Sequence, residues 1–325
     1  MTAKLPLAEL HCHLEGTVSP EMARKLATRN GMTLPETIFT SDGDYAWTTF
    51  LEFLAVFDTV SNVIQTQRDY RDITYDYLCR SADEGLIYTE ITISPDHARE
   101  SGLPYIALID AVAMGMTDAK RDTGIESRMT AICVRHLGAE RAIASAKTVA
   151  HNPHPWITGF GMAGDEAAGS VKDFQPAFHI ARDAGLACTA HAGEVLGPES
   201  VRDVIDLLPI TRIGHGVRAV EDPRLVDEIV KRGLVLEISP GSNLALGVYK
   251  DISDHPLAKL RDAGCKVTLN SDDPPYFATT IGKEYEDAKR HFNLSDDDLL
   301  SITRNAIEGA FVDEATRQNL LHRLD

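Results

Sequence analysis

The sequence predicts an α/β fold, a (β/α)₈ TIM barrel with extra helices after the first strand and at the C-terminus. Three observations lead to this expectation. Short apolar segments alternate with amphipathic helical segments along the chain, which is typical of a parallel sheet. The strand-like segments number eight, which favours closure into a barrel over an open sheet. The length of 325 residues suits one barrel domain over residues 1–325.

The eight predicted strands are short runs rich in apolar and β-branched residues. They are residues 8–14, 88–94, 128–135, 157–162, 187–191, 212–215, 235–239 and 266–270. The first of them is not followed by the Gly-x-Gly-x-x-Gly pattern of dinucleotide-binding folds. An open nucleotide-binding sheet is therefore the weaker alternative.

Helices are predicted in the intervals between these strands. Amphipathic runs cover residues 66–85, 105–123, 173–185 and 222–233. Several intervals end on a glycine directly before the next strand, which is the usual position of a helix stop. These glycines are Gly85, Gly124, Gly185, Gly233 and Gly264.

The interval of residues 15–66, between the first two strands, is too long for one crossover. Within it, Phe50, Phe53, Leu54 and Phe57 have helical spacing. The spacing predicts an extra helix that packs its apolar face on the barrel. The same helix would also roof a pocket and exclude water from it, and the two interpretations are compatible.

The C-terminal tail from residue 294 onward is also predicted to be helical. Ser295 is a typical N-cap, and residues 296–298 are three aspartates that favour the positive end of the helix dipole. This acidic run is therefore interpreted as a solvated helix start and not as a metal site.

Composition excludes several classes of function. The formal net charge of −17 makes the surface repel phosphate backbones, so no nucleic-acid partner is expected. No run approaches the ~20 apolar residues of a membrane span, and the N-terminus lacks a secretory segment. The five cysteines include no Cys-x-x-Cys pair, in keeping with reduced thiols. We expect a cytoplasmic protein with a small-molecule partner, and the sequence gives no oligomeric state.

Polar motifs at the strand ends predict a metal site. His11-Cys12-His13 ends the first strand, and the alternation of side chains puts both imidazoles on one face. His191 ends strand five, and Asp272 follows strand eight. The C-terminal ends of all strands surround one mouth in a parallel barrel, so these groups are expected to meet there. Imidazole nitrogen and carboxylate oxygen suit Zn²⁺, and the same ligands also accept Fe²⁺ or Co²⁺.

Three further groups at this rim predict hydrolytic chemistry. Glu194 lies in the loop after strand five and suits general acid/base work. His215 ends strand six and is placed to orient or deprotonate a metal-bound water. Asp273 is adjacent in sequence to the candidate metal ligand Asp272 and is available to hydrogen-bond a substrate. Strand four ends at Gly164 without a lysine, which favours one metal ion over two.

The other histidines considered lack such neighbouring motifs. A lone His-x-His motif is itself a weak signal, and its weight here comes from coincidence with the other strand-end motifs. Seven histidines are interpreted as surface or packing residues: His136, His151, His154, His179, His255, His291 and His322.

The motifs together resemble those of the adenosine and adenine deaminases of the amidohydrolase superfamily, and the resemblance extends along nearly the whole chain. The matching segments are residues 9–16, 191–194, 214–216 and 270–274. The resemblance implies a (β/α)₈ barrel with one catalytic Zn²⁺. The metal ligands that it implies are His11, His13, His191 and Asp272.

The resemblance also implies roles toward a purine. Glu194 protonates N1, which makes C6 electrophilic, and His215 positions the metal-bound water that attacks C6. Asp273 holds N7, and the backbone N–H of Gly164 reaches N3. Ammonia then leaves, and a 6-oxopurine remains.

The choice of substrate depends on few residues. Adenosine deaminases usually have Asp at the position of Glu15, where it reaches the ribose 5′-hydroxyl, whereas adenine deaminases carry Glu. The strand-eight motif is also of the adenine type. Two other features, the motif of residues 163–166 and the residue Gly214, resemble the adenosine type instead. The motif of residues 163–166 carries more weight because it contacts the base.

The expected reaction is therefore zinc-dependent deamination of adenosine and 2′-deoxyadenosine to inosine and ammonia. Adenine deamination to hypoxanthine and deamination of a modified aminopurine are the alternatives. A metal-dependent amide, lactone or phosphoester hydrolase is a weaker one, because such substrates have no use for the groups at Glu194 and Asp273. A silent binding protein is weaker still, because degenerate members lose ligands or the general acid and this chain keeps them.

Overall fold

The computed structural model of the protein describes residues 4–325, which form an eight-stranded sheet with the strands in chain order. Each neighbouring pair is parallel. The strands are β1 (Leu7–His13), β2 (Leu86–Ile93), β3 (Glu126–Val134), β4 (Ile157–Ala163), β5 (Ala187–Ala192), β6 (Arg212–His215), β7 (Val235–Ile238) and β8 (Lys266–Leu269). All eight overlap their predicted segments, and the predicted barrel is confirmed.

The chain just after β8 returns to β1 and nearly closes the ring. The amide of His13 donates to the carbonyl of Asp272 at 3.0 Å, and the amide of Asp272 donates to the carbonyl of His11 at 3.1 Å. These bonds lie at the C-terminal ends of the strands. The barrel therefore closes at its mouth, where the predicted site residues are.

The described residues also form fourteen α-helices. They are α1 (Pro20–Arg29), α2 (Phe50–Ser61), α3 (Gln67–Glu84), α4 (Pro95–Glu100), α5 (Tyr105–Thr123), α6 (Ala139–His151), α7 (Val171–Asp183), α8 (Pro198–Leu207), α9 (Pro223–Arg232), α10 (Pro240–Ala245), α11 (Leu257–Asp262), α12 (Ile281–His291), α13 (Asp296–Gly309) and α14 (Glu314–His322). The five glycines predicted as helix stops have φ between 66° and 110°, the left-handed region that favours glycine. Ser295 caps α13 as predicted, accepting from the amide of Asp298 at 3.1 Å. No helix in residues 4–325 is both long and apolar enough to span a bilayer.

The extra helix predicted after β1 is α2, which begins with a capping box. Phe53 and Phe57 are buried on its inner face. Their ring centroids lie 5.1 Å from that of Phe277 and 5.8 Å from that of Tyr276, respectively, both in the loop after β8. The helix thus packs on the barrel and covers its mouth, as both interpretations of the spacing expected.

The bottom of the barrel holds a buried ion-pair group, which we call the floor cluster: Arg212, Glu90 and Glu237. Nη2 of Arg212 lies 2.7 Å from Glu90, and its Nε lies 2.6 Å from Glu237. The C-terminal helices cover this group from below. The guanidinium stands 3.5 Å from the ring centroid of Phe311, and Nη1 donates to the carbonyl of Gly309 at 3.2 Å.

The first strand changes face along its length. Its register with β2 shifts after Glu9. Glu9 accepts a hydrogen bond from Tyr77 of α3, outside the sheet, whereas Nδ1 of His11 lies 2.9 Å from Glu237 inside the barrel. Strict alternation would put Glu9 and His11 on one face, so the shift separates them. The alternation holds for His11 and His13, which both face the mouth.

Candidate active site

Four imidazoles from distant parts of the chain meet at the ends of β1, β5 and β6. The ring centroid of His11 lies 4.4 Å from that of His191, 5.0 Å from that of His215 and 5.2 Å from that of His13. His11 and His215 are each only 1% exposed. The spatial convergence expected from the strand-end motifs is therefore observed.

Asp272 joins this group from the end of β8. Its Oδ1 lies 3.4 Å from Nε2 of His11 and 3.3 Å from Nε2 of His13. Donor atoms that all lie within 4.8 Å of one another occur in two overlapping sets. These sets are His11, His191, His215 and Asp272, and then His13, Asp272 and Asp273. The four predicted ligands thus lie around one region, with His215 and Asp273 as close neighbours.

Each predicted ligand imidazole is oriented by a bond at its Nδ1 atom, which leaves Nε2 for the centre of the mouth. This arrangement is typical of metal-binding histidines. The Nδ1 partners are Glu237 for His11 (2.9 Å), the Thr92 hydroxyl for His13 (2.9 Å) and the Met162 carbonyl for His191 (2.8 Å).

The chemistry of these donors fits a divalent metal ion. Three imidazole nitrogens and one carboxylate suit Zn²⁺, and also Fe²⁺ or Co²⁺. Nε2 of His11 is buried and has no hydrogen-bond partner within residues 4–325. A buried polar atom without a partner is costly, and a bound cation would supply that partner.

Two residues at the mouth hold strained backbone conformations. His215 has a φ of 61° and Asp272 a φ of 62°, in the left-handed region that residues with a side chain seldom adopt. Such positions cost about 1–3 kcal/mol each and persist where surrounding structure holds them. The bonds of Asp272 to β1 supply this restraint for one of the two.

Burial controls the protonation of the other predicted catalytic groups. Burial raises the pKa of Glu194 well above its usual range, and the nearby Asp272 carboxylate adds to the shift. Burial and the same carboxylate also raise the pKa of Asp273. Burial lowers the pKa of His215 to about 3. Nε2 of His215 lies 3.6 Å from the Glu194 carboxyl, so a neutral imidazole and a carboxylic acid face each other.

Asp273 carries a buried oxygen beside Gly16 that lacks a partner among residues 4–325. Its Oδ1 is buried and makes no hydrogen bond within the described part of the chain. A Cβ on Gly16 would lie 1.7 Å from this oxygen, so the position requires glycine. The glycine of the first motif therefore makes room for Asp273, which lines the cavity.

The mouth opens into a cavity whose empty space, open solvent included, is about 650 Å³. One wall is apolar and is formed largely by α2. Its members are Phe50, Phe53, Leu54, Phe57 and Phe277. Among the described residues that line the cavity there is no lysine or arginine.

The predicted substrate-binding residues Glu15 and Gly164 both line this cavity. Glu15 is 2% exposed and accepts from the amide of Ser94 at 3.4 Å. Burial raises the pKa of its carboxyl. His136, interpreted from sequence as a surface or packing residue, is exposed but also lines the cavity. The amide of Asp165 donates to His136 Nδ1 at 3.4 Å, a contact between two strand ends that no local sequence signal reveals.

Two site residues were missed by sequence reasoning. His97 lines the cavity, and its Nε2 lies 3.4 Å from Asp58 of α2. Its place directly after β2, at the same rim as the other motifs, was an available signal. Glu237, which orients His11, stands as the one acidic residue in the apolar strand β7, and this was a second signal.

Comparison with known proteins gives a consistent family. A sequence model described as "Adenosine deaminase" matches residues 6–325. An adenine deaminase of Agrobacterium fabrum is 49% identical over 324 residues, which cover 100% of this chain and 99% of that protein. The expected preference for adenosine gains no specific support from such a relative, which is named for the alternative substrate, adenine.

Solved structures give the same fold. The crystal structure of an adenine deaminase from Arthrobacter aurescens has a TM-score of 0.90 and 29% identity, covering 98% of each chain. An amidohydrolase from Burkholderia ambifaria, solved with bound zinc, has a TM-score of 0.88 and 29% identity, covering 97% of this chain and 88% of that one. With the family match over nearly all residues, the chain belongs to the adenosine deaminase family of the amidohydrolase superfamily.

Proposed function

We propose that the protein is an adenine deaminase, which hydrolyses the C6 amino group of adenine to give hypoxanthine and ammonia. The observation that carries this proposal is the meeting of His11, His191, Asp272, Glu194 and Asp273 in one buried cavity. The 49% identity to an adenine deaminase over the full chain supports adenine as the base.

The proposed metal ligands are His11, His13, His191 and Asp272, with zinc as the proposed ion. When bound there, the ion would supply Lewis-acid activation of a water molecule. The same residues also line the inner end of the cavity with nitrogen and carboxylate donors. A purine is therefore confined to the space between these donors and the apolar wall of α2.

Glu194 is the proposed proton donor to purine N1. A proton at N1 draws electrons from C6 and prepares that carbon for attack by water. His215, whose Nε2 lies 3.6 Å from the Glu194 carboxyl, is the proposed acceptor for the proton that the attacking water gives up. Water thus adds at C6, and the proton held by His215 passes to the amino group, which leaves as ammonia. The remaining hydroxyl proton returns to Glu194 as the C6 carbonyl forms, so adenine plus water gives hypoxanthine plus ammonia.

Asp273 and Gly164 are proposed to hold the base. Purine N7 is a hydrogen-bond acceptor, so Asp273 must carry the proton in this bond, which its raised pKa and its place in the cavity lining support. Gly164 also lines the cavity and is proposed to donate its backbone N–H to N3. The two contacts would fix the ring in its plane and hold C6 at the donor group.

The lining of the cavity favours an uncharged substrate. A nucleotide phosphate needs cationic partners, and the described lining includes carboxyl groups at Glu15 and Asp58 but neither lysine nor arginine. A phosphate would also have to lie against the apolar side chains of α2. We therefore propose a free base and not a nucleotide.

Glu15 is the proposed discriminator between adenine and adenosine. Its side chain is one methylene longer than the aspartate usual at this position in adenosine deaminases, and it is buried in the cavity. Adenine has an N–H at N9, whereas adenosine carries its sugar there and has no such donor. A carboxylate that accepts from N9 would favour the free base and occupy space that a ribose needs.

Ammonia release from adenine, adenosine and adenosine 5′-monophosphate by the zinc-loaded protein tests this proposal. We expect kcat/KM for adenine to exceed that for adenosine by at least about tenfold, the usual effect of an unpaired polar group in a site. Glu15→Asp should narrow that ratio. A preference of the wild type for adenosine would return the assignment to the expectation from sequence, and no ammonia from any of the three would refute the deaminase proposal.

A further inference from the structure

Glu166 ends the motif that follows β4, and the reaction described above gives it no role. It is 3% exposed and lies behind the loop that carries Glu194. We propose that Glu166 is a positioning residue, whose carboxylate fixes the backbone on both sides of Glu194 and thereby aims the proton donor at the purine. This inference rests on the proposed function, because it concerns the residue that protonates the base.

The Glu166 carboxylate accepts four hydrogen bonds from the segment around Glu194. Its Oε1 accepts from the amide of Gly193 and from the hydroxyl of Ser200, each at 2.5 Å. Its Oε2 accepts from the amides of Val195 and Leu196, each at 2.8 Å. The amides directly before and after Glu194 are therefore both bound to one side chain from another strand end.

The loop has no regular structure of its own between β5 and α8. Its carbonyl groups are also held from outside, by Arg218. The amide of Arg218 donates to the carbonyl of Gly193 at 2.9 Å, and its Nη1 donates to the carbonyl of Val195 at 2.7 Å. The backbone on both sides of Glu194 is thus held twice: Glu166 accepts from its amides, and Arg218 donates to its carbonyls.

The side chain of Glu194 gains little restraint from its own contacts. Its carboxyl lies 3.6 Å from Nε2 of His215, which is beyond an ordinary hydrogen bond. No hydrogen bond from this carboxyl is found within residues 4–325. The direction of the proton donor therefore depends on the backbone to which it is attached, and that backbone depends on Glu166.

The loop of Glu166 is itself anchored to the barrel. Arg135, which follows β3 and is 5% exposed, donates from Nε to the carbonyl of Ala168 at 2.8 Å and from Nη2 to that of Gly169 at 3.1 Å. A rigid connection therefore runs from β3 through the loop after β4 to the proton donor after β5.

A double-mutant cycle in kcat with adenine tests the inference. Glu166→Gln keeps the shape but offers one acceptor oxygen, which satisfies at most two of the four donors. We expect kcat to fall by about 10²-fold, the scale of a misplacement of about 1 Å, with zinc content retained and a smaller change in KM. In the Glu194→Gln background the same substitution should change kcat less than about twofold, because residues that act as one unit are non-additive.

Two variants separate this role from a merely structural one. Asp69→Asn alters another buried carboxylate that accepts loop amides, from Gln65 and Thr66, and that does not line the cavity. It should lower the melting temperature and leave kcat unchanged. Ser200→Ala removes only one of the four donors to Glu166, so it should fold and should lower kcat in the same direction by a smaller factor. This variant decides the question should Glu166→Gln fail to fold.

A wild-type kcat in Glu166→Gln would overturn the inference. If Glu166→Gln does not fold, a wild-type kcat in Ser200→Ala would overturn it instead. A loss of equal size in the wild-type and Glu194→Gln backgrounds would also overturn it, because a general structural defect multiplies. Failure of the proposed function is a separate result, since the wild type itself would then release no ammonia from any aminopurine.

Discussion

The barrel contains two buried charged groups that differ in how they are paired. In the floor cluster, Arg212 lies between Glu90 and Glu237, at 2.7 and 2.6 Å. At the mouth, Nε2 of His11 lies 3.4 Å from Asp272, a longer contact, and Asp273 forms no ion pair with the described residues. The floor cluster finds its counter-ions within the protein. The proposed metal ion and substrate would complete the pairing at the mouth, and this difference supports the mouth as the candidate active site.

Glu237 belongs to both regions. One of its oxygens pairs with Arg212 and the other lies 2.9 Å from Nδ1 of His11. Burial alone would raise the pKa of Glu237, but the Arg212 charge together with the contacts to His11 and Thr189 outweighs burial and lowers it. The floor cluster thus keeps ionised the group that orients a proposed metal ligand, which gives a structural region an indirect effect on the site.

The largest expected effect is at the mouth, in Glu194→Gln. The variant keeps every proposed metal ligand but cannot give up a proton, so kcat with adenine should fall by about 10²–10⁴-fold. Metal content by elemental analysis should be unchanged. Stability should not decrease, because the raised pKa of Glu194 already implies a neutral side chain. Wild-type turnover in this variant would remove Glu194 from its proposed role.

A substitution in the floor cluster should affect stability instead. Arg212→Met leaves Glu90 and Glu237 buried without their cation, which should cost about 3–5 kcal/mol. Denaturation by guanidinium chloride measures this loss. Arg182→Met is the matched control, since Arg182 is half-exposed and pairs with exposed Asp183. Its effect should be below about 1 kcal/mol, and equal losses in the two variants would contradict the distinction between them.

A buried carboxyl outside both regions, that of Glu284, sharpens the comparison. It has no cationic partner among the described residues, and no role in binding a metal or substrate is proposed for it. Glu284 accepts from Thr279 and Gly241, and burial raises its pKa to about 7. The folded protein then binds a proton that the unfolded chain, with the ordinary value of 4.5, releases. Stability should therefore fall by up to about 3 kcal/mol as pH rises from about 4.5 to about 7.

Glu284→Gln should remove this part of the pH dependence, as measured by denaturation at a series of pH values. The activity with adenine should remain. An identical pH profile of stability in the wild type and the variant would show that Glu284 does not titrate in this range.

The smallest expected effect concerns the connection between the two regions. Glu237→Gln should weaken zinc binding by about 10–100-fold, because the carboxylate that orients His11 is lost. Competition with a chelator measures the change. Thr268→Val is a control on the neighbouring strand, since its hydroxyl contacts only β7 and Asn270. Unaltered zinc affinity in Glu237→Gln would assign that residue to the floor cluster alone.

Sequence patterns were sufficient for the fold and for most of the mouth. The eight strands were predicted because their apolar runs are separated by glycine stops, and the site because its residues follow strand ends. The unpredicted contacts join elements far apart in the chain. Glu237 reaches His11 across the barrel, and Glu166 binds the loop after the next strand. Glu237 stands out as the one acidic residue of β7, but neither contact reveals its partner locally, because each joins the ends of two different strands.

The substrate was the weakest inference from sequence for a physical reason. Adenosine and adenine present the same reacting edge to Glu194 and Asp273, so the motifs at the mouth do not distinguish them. Only the far side of the cavity differs, where Glu15 lies near His97 and Asp58. The expectation of adenosine gave more weight to the motif after strand four than to the extra methylene of Glu15. The 49% identity to an adenine deaminase favours adenine instead.

Ammonia release from adenine as a function of bound zinc per chain tests the central claim most directly. Protein stripped by a chelator and reloaded in steps should gain activity in proportion to bound zinc and reach its maximum at about one ion per chain. Asp272→Ala should retain little zinc and remain inactive at each step. Full turnover by the stripped protein, or none by the fully loaded one, would contradict the account.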